Sequence, residues 1–143
     1  MSYIWAGLKV LREPPIPVEV AVNGAPQSAR GAAVFVGNGR LYGGPFKLFP
    51  KARLDDGLLD VCVFERCGYL DVLRYGQRVL RSSHTQLQDV HYFQAKEFVC
   101  SAPTAVPFEL DGEDAGEAPV RFSVVPRALR VVVPHRDGGT HHA

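Results

Sequence analysis

The chain has no long apolar run, few cysteines and no excess of charge of either sign. Among its 143 residues 16 are basic and 15 are acidic, and the formal net charge is +1. Nucleic-acid binding requires a concentrated basic surface, so this balance argues against a nucleic-acid partner. No apolar run approaches the roughly 18 residues of a membrane-spanning helix, and residues 1–11 lack the basic start and cleavage site of a signal peptide. These absences predict a cytoplasmic protein, and they leave peripheral contact with a membrane open.

The cysteines argue against two further classes of protein. Cys62, Cys67 and Cys100 are an odd number and lie close to apolar, strand-like sequence. They are typical of reduced core thiols in a cytoplasmic protein rather than of a disulfide framework. No second pair of cysteines or histidines follows Cys62 and Cys67 at the spacing of zinc ligands, which argues against a zinc site.

The residues that are present predict one globular β domain. Hydrophobic residues make up 46% of the chain and charged residues 22%, and this length buries a core without disulfides or metals. Val18, Val20 and Val22 alternate with other residues, and Asn23-Gly24 follows as a hairpin-turn signal. The return strand is predicted over residues 32–36, and further strands over 58–64, 90–100, 106–110, 120–125 and 129–133. The turns between them are typical of a sandwich or barrel. We predict a mainly β fold, an antiparallel β-sandwich over residues 14–134.

Two helices are expected besides the strands. Ile4, Leu8 and Leu11 have helical spacing and predict a short helix within residues 1–13, which the prolines at 14, 15 and 17 end. The second helix, at about residues 69–81, is amphipathic. Its apolar face is predicted from Tyr69, Val72, Leu73, Gly76, Val79 and Leu80, and its polar face carries Arg74, Arg78 and Arg81. Such a helix either covers a sheet or lies on an anionic membrane, and we favour the first. Residues 135–143 show no apolar periodicity and predict a disordered tail.

The glycine-bearing run at residues 36–44 does not match a nucleotide-binding loop. A P-loop needs Lys and Ser or Thr after its last glycine, but Gly44 is followed by Pro45. The dinucleotide fingerprint needs a third glycine where Tyr42 stands. These glycines favour a bulge or a tight strand connection, and no segment of the chain is predicted to bind ATP alone.

Two acidic turns are the candidates for chemistry. Asp55-Asp56-Gly57 is either a solvated turn or, because carboxylate and carbonyl oxygens suit hard cations, part of a magnesium site. Asp111-Gly112-Glu113 is either the polar end of a hairpin or the position of a general base for a hydroxyl nucleophile. Asp114 and Glu117 lie close by, so the residues alone leave the identity of the base open.

Four segments, in this order, resemble the C-terminal domain of the diacylglycerol and sphingosine lipid kinases. They are Asn38-Gly39-Arg40-Leu41-Tyr42-Gly43-Gly44, Pro50-Lys51-Ala52-Arg53-Leu54-Asp55-Asp56-Gly57-Leu58-Leu59-Asp60, Leu110-Asp111-Gly112-Glu113 and Pro126-Arg127-Ala128-Leu129-Arg130-Val131. Their order and spacing make the resemblance more specific than any single segment does. Pro45 departs from the family pattern, which usually has a third glycine or another flexible residue there.

The resemblance implies a set of site residues. Glu113 is expected to accept the proton of the lipid hydroxyl, and Asp111 to help shape the same acidic cleft. A magnesium ion is expected at the loop 53–58, bound by the carboxylate of Asp56 and by the main-chain oxygens of Arg53 and Leu58.

The resemblance also implies the setting of the domain. In the family, a β-sandwich is hinged to an α/β domain that holds ATP, and residues 1–13 are then the connector helix from that domain. The Gly-Gly-Asp-Gly-Thr nucleotide motif of that domain is absent from the chain, so we expect no kinase turnover from the chain alone. The expected partners are a lipid substrate, the nucleotide-binding domain and a transient membrane surface, and a homodimer stays open. The alternative is a non-catalytic lipid-binding or regulatory module of the same fold.

Overall fold

The computed structural model describes residues 15–23 and 28–132. The connector helix predicted for residues 1–13 and the tail predicted for 135–143 lie outside these ranges. Within the described residues there are nine strands and one α-helix, which we number in chain order: β1 (Val18–Val22), β2 (Ser28–Gly31), β3 (Ala33–Gly37), β4 (Leu59–Phe64), α1 (Tyr69–Leu80), β5 (Val90–Ala95), β6 (Glu97–Ser101), β7 (Pro107–Leu110), β8 (Glu113–Glu117) and β9 (Val120–Ser123). A short 3-10 turn, His84–Gln86, follows α1.

The strands form two main sheets and a hairpin. Sheet A has the order β2-β1-β6-β9, sheet B has the order β3-β4-β5, and β7 pairs with β8. Every one of these pairings is antiparallel. The structure therefore confirms the mainly β, antiparallel sandwich-like fold with one main helix.

Strand β4 lies at the centre of the packing because both of its faces are buried. Val61 and Val63 belong to a cluster with residues of sheet A, among them Val20 and Phe98. The intervening residues of β4 pack on the other side, in a cluster formed by Leu48, Phe49, Ala52, Cys62, Phe64, Tyr75 and Val90. Sheet B thus has sheet A on one face and α1 with the segment 48–52 on the other.

The chain passes from one sheet to the other at two corners. Gly31 ends β2 in sheet A and Ala33 begins β3 in sheet B, and the Ala32 N–H between them donates to the Phe64 carbonyl oxygen at 2.8 Å. At the second corner, Lys96 separates β5 in sheet B from β6 in sheet A, and its carbonyl oxygen accepts from the Val124 N–H at 2.9 Å.

These corners correct two sequence predictions. The strand predicted over 90–100 is two strands in different sheets. The partner of β1 after the turn is β2, residues 28–31, whereas the predicted return strand at 32–36 is β3 and pairs with β4. The apolar pattern continues through both corners because each flanking strand has a buried face, so hydrophobicity alone does not mark the change of sheet.

Two further strand predictions differ from the structure. Leu129 to Val132 form no strand and their side chains are exposed, while Val133 lies outside the described ranges. Strand β8 was not predicted, because its residues Glu113–Glu117 are all exposed and carry no apolar alternation. Backbone pairing with β7 holds β8 in place.

The helix predicted at about 69–81 is confirmed as Tyr69–Leu80, but a different face of it packs on the sheet. Tyr75 is buried and Val79 is half-buried, and both pack against the Phe64 side of β4. Tyr69, Leu73 and Leu80, predicted to face the core, are exposed. In the part of the chain that the structure describes, no helix is long and apolar enough to cross a membrane.

Two buried polar contacts fix α1 and the turn after it. The Tyr75 hydroxyl donates to Asp89 Oδ2 at 2.8 Å, and burial together with this hydrogen bond raises the pKa of Tyr75 to about 12. His84 is fully buried, and its Nε2 lies 2.9 Å from the Leu48 carbonyl oxygen. Since a carbonyl only accepts, Nε2 carries the proton, and Nδ1 has no hydrogen-bond partner among the described residues.

Two glycine-to-alanine changes should shift the stability of this fold in opposite directions. At Gly31 an added Cβ would lie 2.5 Å from both the Phe64 carbonyl oxygen and Val63 Cγ1. The backbone there is held in sheet pairing, so we expect Gly31→Ala to cost about 1–3 kcal/mol. At Gly76 in α1 no atom of the described residues lies within 4 Å of an added Cβ, and Gly76→Ala should stabilise by up to about 1 kcal/mol. Urea unfolding followed by circular dichroism measures both; an unchanged midpoint for Gly31→Ala would contradict the close approach.

His84 should make the stability depend on pH below neutrality. Burial lowers its pKa, and the hydrogen bond to Leu48 opposes that shift only in part. An unfolded histidine titrates near pH 6.5, so on acidification the unfolded chain takes up the proton first. The stability contributed by neutral His84 is therefore complete above about pH 6.5. It decreases as the pH falls from there to the lower pKa of the folded residue, and below that pKa it does not change further. The slope of unfolding free energy against pH, measured by urea titration, should shrink in His84→Gln. His91→Gln, which removes an exposed imidazole, is the control, and an equal reduction there would assign the slope elsewhere.

Candidate functional site

A cleft of about 1110 Å³ runs along the free edge of β3. In the described residues β3 pairs with β4 on one side only, and strand β7, its turn Asp111-Gly112 and strand β9 contribute further lining residues. Most of the lining side chains are apolar, including Val34, Phe35, Val36, Leu41, Tyr42, Phe49, Leu59, Val106, Phe108, Leu110, Val120 and Phe122. The cleft can therefore accept a long apolar group along a strand edge.

A row of aromatic rings connects the wall of the cleft with α1. The ring of Phe35 lies edge-on to Tyr42 at 5.2 Å and to Phe64 at 5.7 Å, measured between centroids. Phe64 in turn packs on Tyr75 of α1 at 4.7 Å. Edge-on aromatic pairs add to the stabilisation from burial alone, so Phe35 connects the exposed loop residue Tyr42 to the core.

The turn Asp111-Gly112 joins β7 to β8 at the rim of the cleft. Both residues have positive φ, 52° and 89°, as expected for the two-residue hairpin turn that Asp-Gly favours. Asp111 and Gly112 line the cleft, and so does Glu109, which the sequence did not single out. Glu113 is exposed, and it is not among the lining residues.

The register of the hairpin separates its acidic side chains. Glu113 lies opposite Leu110, so these two share one face, whereas Glu109 lies opposite Asp114 on the other face. Phe108 and Leu110 are two residues apart on β7 and therefore lie on the same face. The ring centroid of Phe108 lies 6.2 Å from that of Phe122 in β9. Glu113 thus lies on the face of the hairpin that turns toward β9.

Asp114 has a structural task within the hairpin. A bulge shifts the register after Phe108, and Asp114 Oδ1 accepts the Gly116 N–H at 3.1 Å across it. One carboxylate oxygen of Asp114 is thus engaged within the hairpin, and Glu113 is exposed. The identity of the general base stays a prediction.

In the loop 53–58 the two adjacent carboxylates have different partners. Asp56 Oδ1 accepts the Leu58 N–H at 2.9 Å, which curls the loop around Gly57 with its φ of 69°. Asp55 Oδ1 lies 3.2 Å from Arg53 Nε, and both side chains are exposed. Hydrogen bonding to Arg53, followed by its charge, lowers the pKa of Asp55.

The predicted magnesium ligands fit a hard cation chemically. Asp56 keeps a second carboxylate oxygen without a partner, and the carbonyls of Arg53 and Leu58 accept no hydrogen bond among those of the described residues. One carboxylate and two carbonyls would leave the remaining positions to water, as magnesium prefers. Over the described ranges, no group of three or more His, Cys, Asp and Glu side chains is placed to hold a metal. The metal site stays a prediction.

The structure does not bring all of the predicted site residues into one cavity. Asp111 lies on the cleft, and Glu113 lies beside it on the same hairpin. Arg53, Asp56 and Leu58 are not among the cleft-lining residues. Leu59, which directly follows the acidic loop, does line the cleft, so the loop adjoins the cleft although its predicted metal ligands do not line it.

Comparison with known proteins identifies the family of this domain. Residues 1–133 match the family model described as the YegS C-terminal NAD kinase beta sandwich-like domain. The chain belongs to this YegS and diacylglycerol kinase-like lipid kinase family. It is similar to a diacylglycerol kinase of Mycobacterium tuberculosis, with 30% identity over 136 residues that cover 94% of the chain and 44% of that protein. It is also 37% identical over 106 residues, 71% of the chain, to a Pseudomonas aeruginosa protein named "Probable lipid kinase YegS-like", of which 33% is covered.

The fold of this lipid kinase family is also seen in a solved structure. The crystal structure of a diacylglycerol kinase from Bacillus anthracis superimposes with a TM-score of 0.61 over 87% of the chain and 44% of that protein, at 21% identity. The chain thus spans less than half the length of the relatives that it matches.

A buried polar network anchors the signature segment 50–60 in this member of the lipid kinase family. Asp60 in β4 is fully buried, and its carboxylate accepts hydrogen bonds from the Tyr92 hydroxyl and, at 3.3 Å, from Gln94 Nε2. The same Tyr92 oxygen accepts the Lys51 N–H at 3.2 Å. Burial, together with the bond to Asp60, raises the pKa of Tyr92, so the phenol remains a donor at physiological pH.

The sequence carried a signal for this network that the strand prediction did not use. Asp60 interrupts an otherwise apolar strand, and a carboxylate in such a position must find donors when it is buried. Its partners Tyr92 and Gln94 come from the neighbouring strand, and only the register of β4 with β5 places them beside it.

Tyr92→Phe should destabilise the domain and release the start of the loop. The change leaves the buried Asp60 without one donor and removes the acceptor of the Lys51 N–H, which should cost about 1–3 kcal/mol. Urea unfolding gives the free energy, and hydrogen exchange should show faster exchange at Lys51. Tyr69→Phe, at an exposed position of α1, removes the same hydroxyl outside the network and should change neither. Equal behaviour of the two variants would contradict the anchoring role.

Proposed function

We propose that the chain is the lipid-side half of an ATP-dependent lipid kinase that phosphorylates a lipid hydroxyl. The observation that carries this proposal is an apolar cleft lined in part by β7 and Asp111, with Glu113 at the start of the paired strand β8. Membership of the lipid kinase family supports the class of reaction.

The cleft is suited to the apolar part of the substrate. Its volume of about 1110 Å³ lies slightly above the range for ligand pockets, roughly 300–1,000 Å³. The edge of β3 and the rings of Phe108 and Phe122 form continuous apolar walls. An acyl or sphingoid chain along these walls would bring its hydroxyl to the rim, where the acidic turn lies.

Glu113 is the proposed general base. Its carboxylate takes the proton of the lipid hydroxyl while the hydroxyl oxygen bonds to the γ-phosphorus of ATP, and the bond to the leaving ADP oxygen breaks. Asp111 shapes the acidic rim and holds the turn that presents Glu113. Magnesium bound by Asp56 and by the carbonyls of Arg53 and Leu58 would supply positive charge and hold the loop.

ATP is proposed to be held by a nucleotide-binding domain other than this one. The glycines of residues 36–44 match neither of the two nucleotide fingerprints. Phosphoryl transfer depends on positioning both substrates and neutralising charge, so a cleft that holds the lipid needs a second domain for the nucleotide.

A non-catalytic lipid-binding or regulatory module of the same fold is the second candidate. The observation that favours it is that, within the described residues, Glu113 and the predicted metal ligands do not line the cleft. Such a module would need only the apolar walls and not Glu113.

Glu113→Gln should abolish most of the phosphoryl transfer while leaving the fold intact. We would replace the matching segment of the M. tuberculosis diacylglycerol kinase with this chain and assay labelled ATP against a panel of lipid alcohols. Loss of the general base should lower kcat about 100-fold or more, because glutamine keeps the shape of the side chain and removes the proton acceptor.

Glu117→Gln is the matched control. Glu117 lies exposed on the same strand, so the variant makes the same change of charge four residues from Glu113. Undiminished activity of Glu113→Gln would remove this residue from its proposed role. A folded but inactive chimera, with lipid still bound by the isolated chain, would favour the non-catalytic module.

A further inference from the structure

The outward face of α1 carries apolar side chains that are exposed in the described part of the chain. Leu70, Leu73 and Leu80 are 82%, 60% and 69% exposed. At about 100° per residue they fall within an arc of roughly 80°, on the side opposite the buried Tyr75. We call these three leucines the leucine stripe. Single exposed leucines are ordinary, but three on one face of one helix form a continuous patch.

Positive charge borders the leucine stripe along one flank. Arg78 and Arg81 are exposed and, within the described ranges, take part in no ion pair. Arg74 lies in the same row, but it is bound to Asp89 and packs 4.7 Å above the Tyr75 ring. Arg74 therefore holds the helix in place, while the other two arginines are available to an external anion.

This positive charge is local to α1 and its ends. The whole chain has 16 basic and 15 acidic residues, but the segment 66–86 contains four arginines and one acid, Asp71. Asp71 lies toward the packed side of the helix, where it is within 3.4 Å of Arg74 and accepts the Gly68 N–H. The exposed face of α1 thus presents leucines and arginines without a carboxylate.

We propose that α1 docks the domain on an anionic membrane surface. The leucine stripe enters the boundary between head groups and acyl chains, and Arg78 and Arg81 bind lipid phosphates. Amphipathic helices that lie in the plane of a membrane have this arrangement of apolar residues beside arginines. The long arginine side chains reach the head groups while their methylene groups cover the edge of the stripe. The proposal rests on α1 alone and does not require the domain to be catalytic.

The charge on α1 favours a membrane over a second copy of the chain. A parallel stack of two α1 helices would bring Arg78 and Arg81 of one copy near those of the other, and in either orientation the exposed face of the partner helix would offer them no carboxylate. An anionic leaflet instead attracts each of these arginines, and the attraction falls within a Debye length. A lipid surface therefore matches both the apolar and the charged part of the face.

Vesicle co-sedimentation of the whole chain tests the proposal without ATP or kinase activity. We expect binding to vesicles of phosphatidylcholine with phosphatidylglycerol, and much weaker binding to phosphatidylcholine alone. Leu70→Gln combined with Leu73→Gln should lower the partition coefficient at least about tenfold. Arg78→Gln and Arg81→Gln should each lower the partition coefficient about fivefold. In the variant that carries both arginine changes, binding should no longer depend on the salt concentration.

Matched controls use exposed residues away from α1. Leu129→Gln removes a leucine that is 80% exposed, and Arg130→Gln removes an exposed arginine; both should bind as the unmodified chain does. Hydrogen exchange of the unmodified chain adds a readout that needs no variant, since vesicles should slow exchange in α1 more than in sheet A.

Three results would overturn the proposal. The first is an absence of binding to the anionic vesicles, and the second is an equal loss of binding in the controls. The third is self-association in light scattering that the leucine variant removes, without vesicle binding, which would make the leucine stripe an interface between copies.

Discussion

The burial of β4 on both faces is the constraint on which the rest of the structure depends. Val61 and Val63 join the two sheets, and Cys62 and Phe64 hold α1 with the segment 48–52. A strand with no solvent face must consist almost wholly of apolar side chains. The one acid, Asp60, is accommodated because donors from β5 reach its carboxylate.

The cleft, the acidic loop and the leucine stripe each have a defined position relative to β4. The cleft lies one strand away, at the free edge of β3, and the acidic loop runs directly into the start of β4. The leucine stripe lies on the far side of the helix that β4 anchors. Rigid elements therefore position each feature, whereas the acidic side chains themselves stand on exposed turns.

Some of the fold and of the site was predictable from residues, and the remainder depended on long-range pairing. The alternation at β1, the helix Tyr69–Leu80 and the Asp-Gly turn follow from local rules of period and turn chemistry, and the structure has all three. Strand β8 was missed because an exposed strand needs no apolar pattern. The predicted packed face of α1 was wrong because Tyr75, whose ring packs on Phe64 and whose hydroxyl binds Asp89, is the buried residue of the helix. The roles of Glu113, Asp56 and the other ligands came from resemblance, since no local rule distinguishes a catalytic carboxylate from a solvated one.

The two corners at Ala32 and Lys96 have a consequence for how the domain opens. Each corner makes two strands in different sheets one uninterrupted length of chain, with one residue between them. A fluctuation that separates β5 from sheet B also displaces β6, which lies between β1 and β9 in sheet A. The corner at Ala32 couples β3 to β2 in the same way. The sheets are thus expected to behave as one cooperative unit rather than as two foldons, with similar protection of their central amides. Partial unfolding should begin at the hairpin β7–β8, which among the described strands is paired with neither sheet. The most easily opened element is then the one that carries the proposed base.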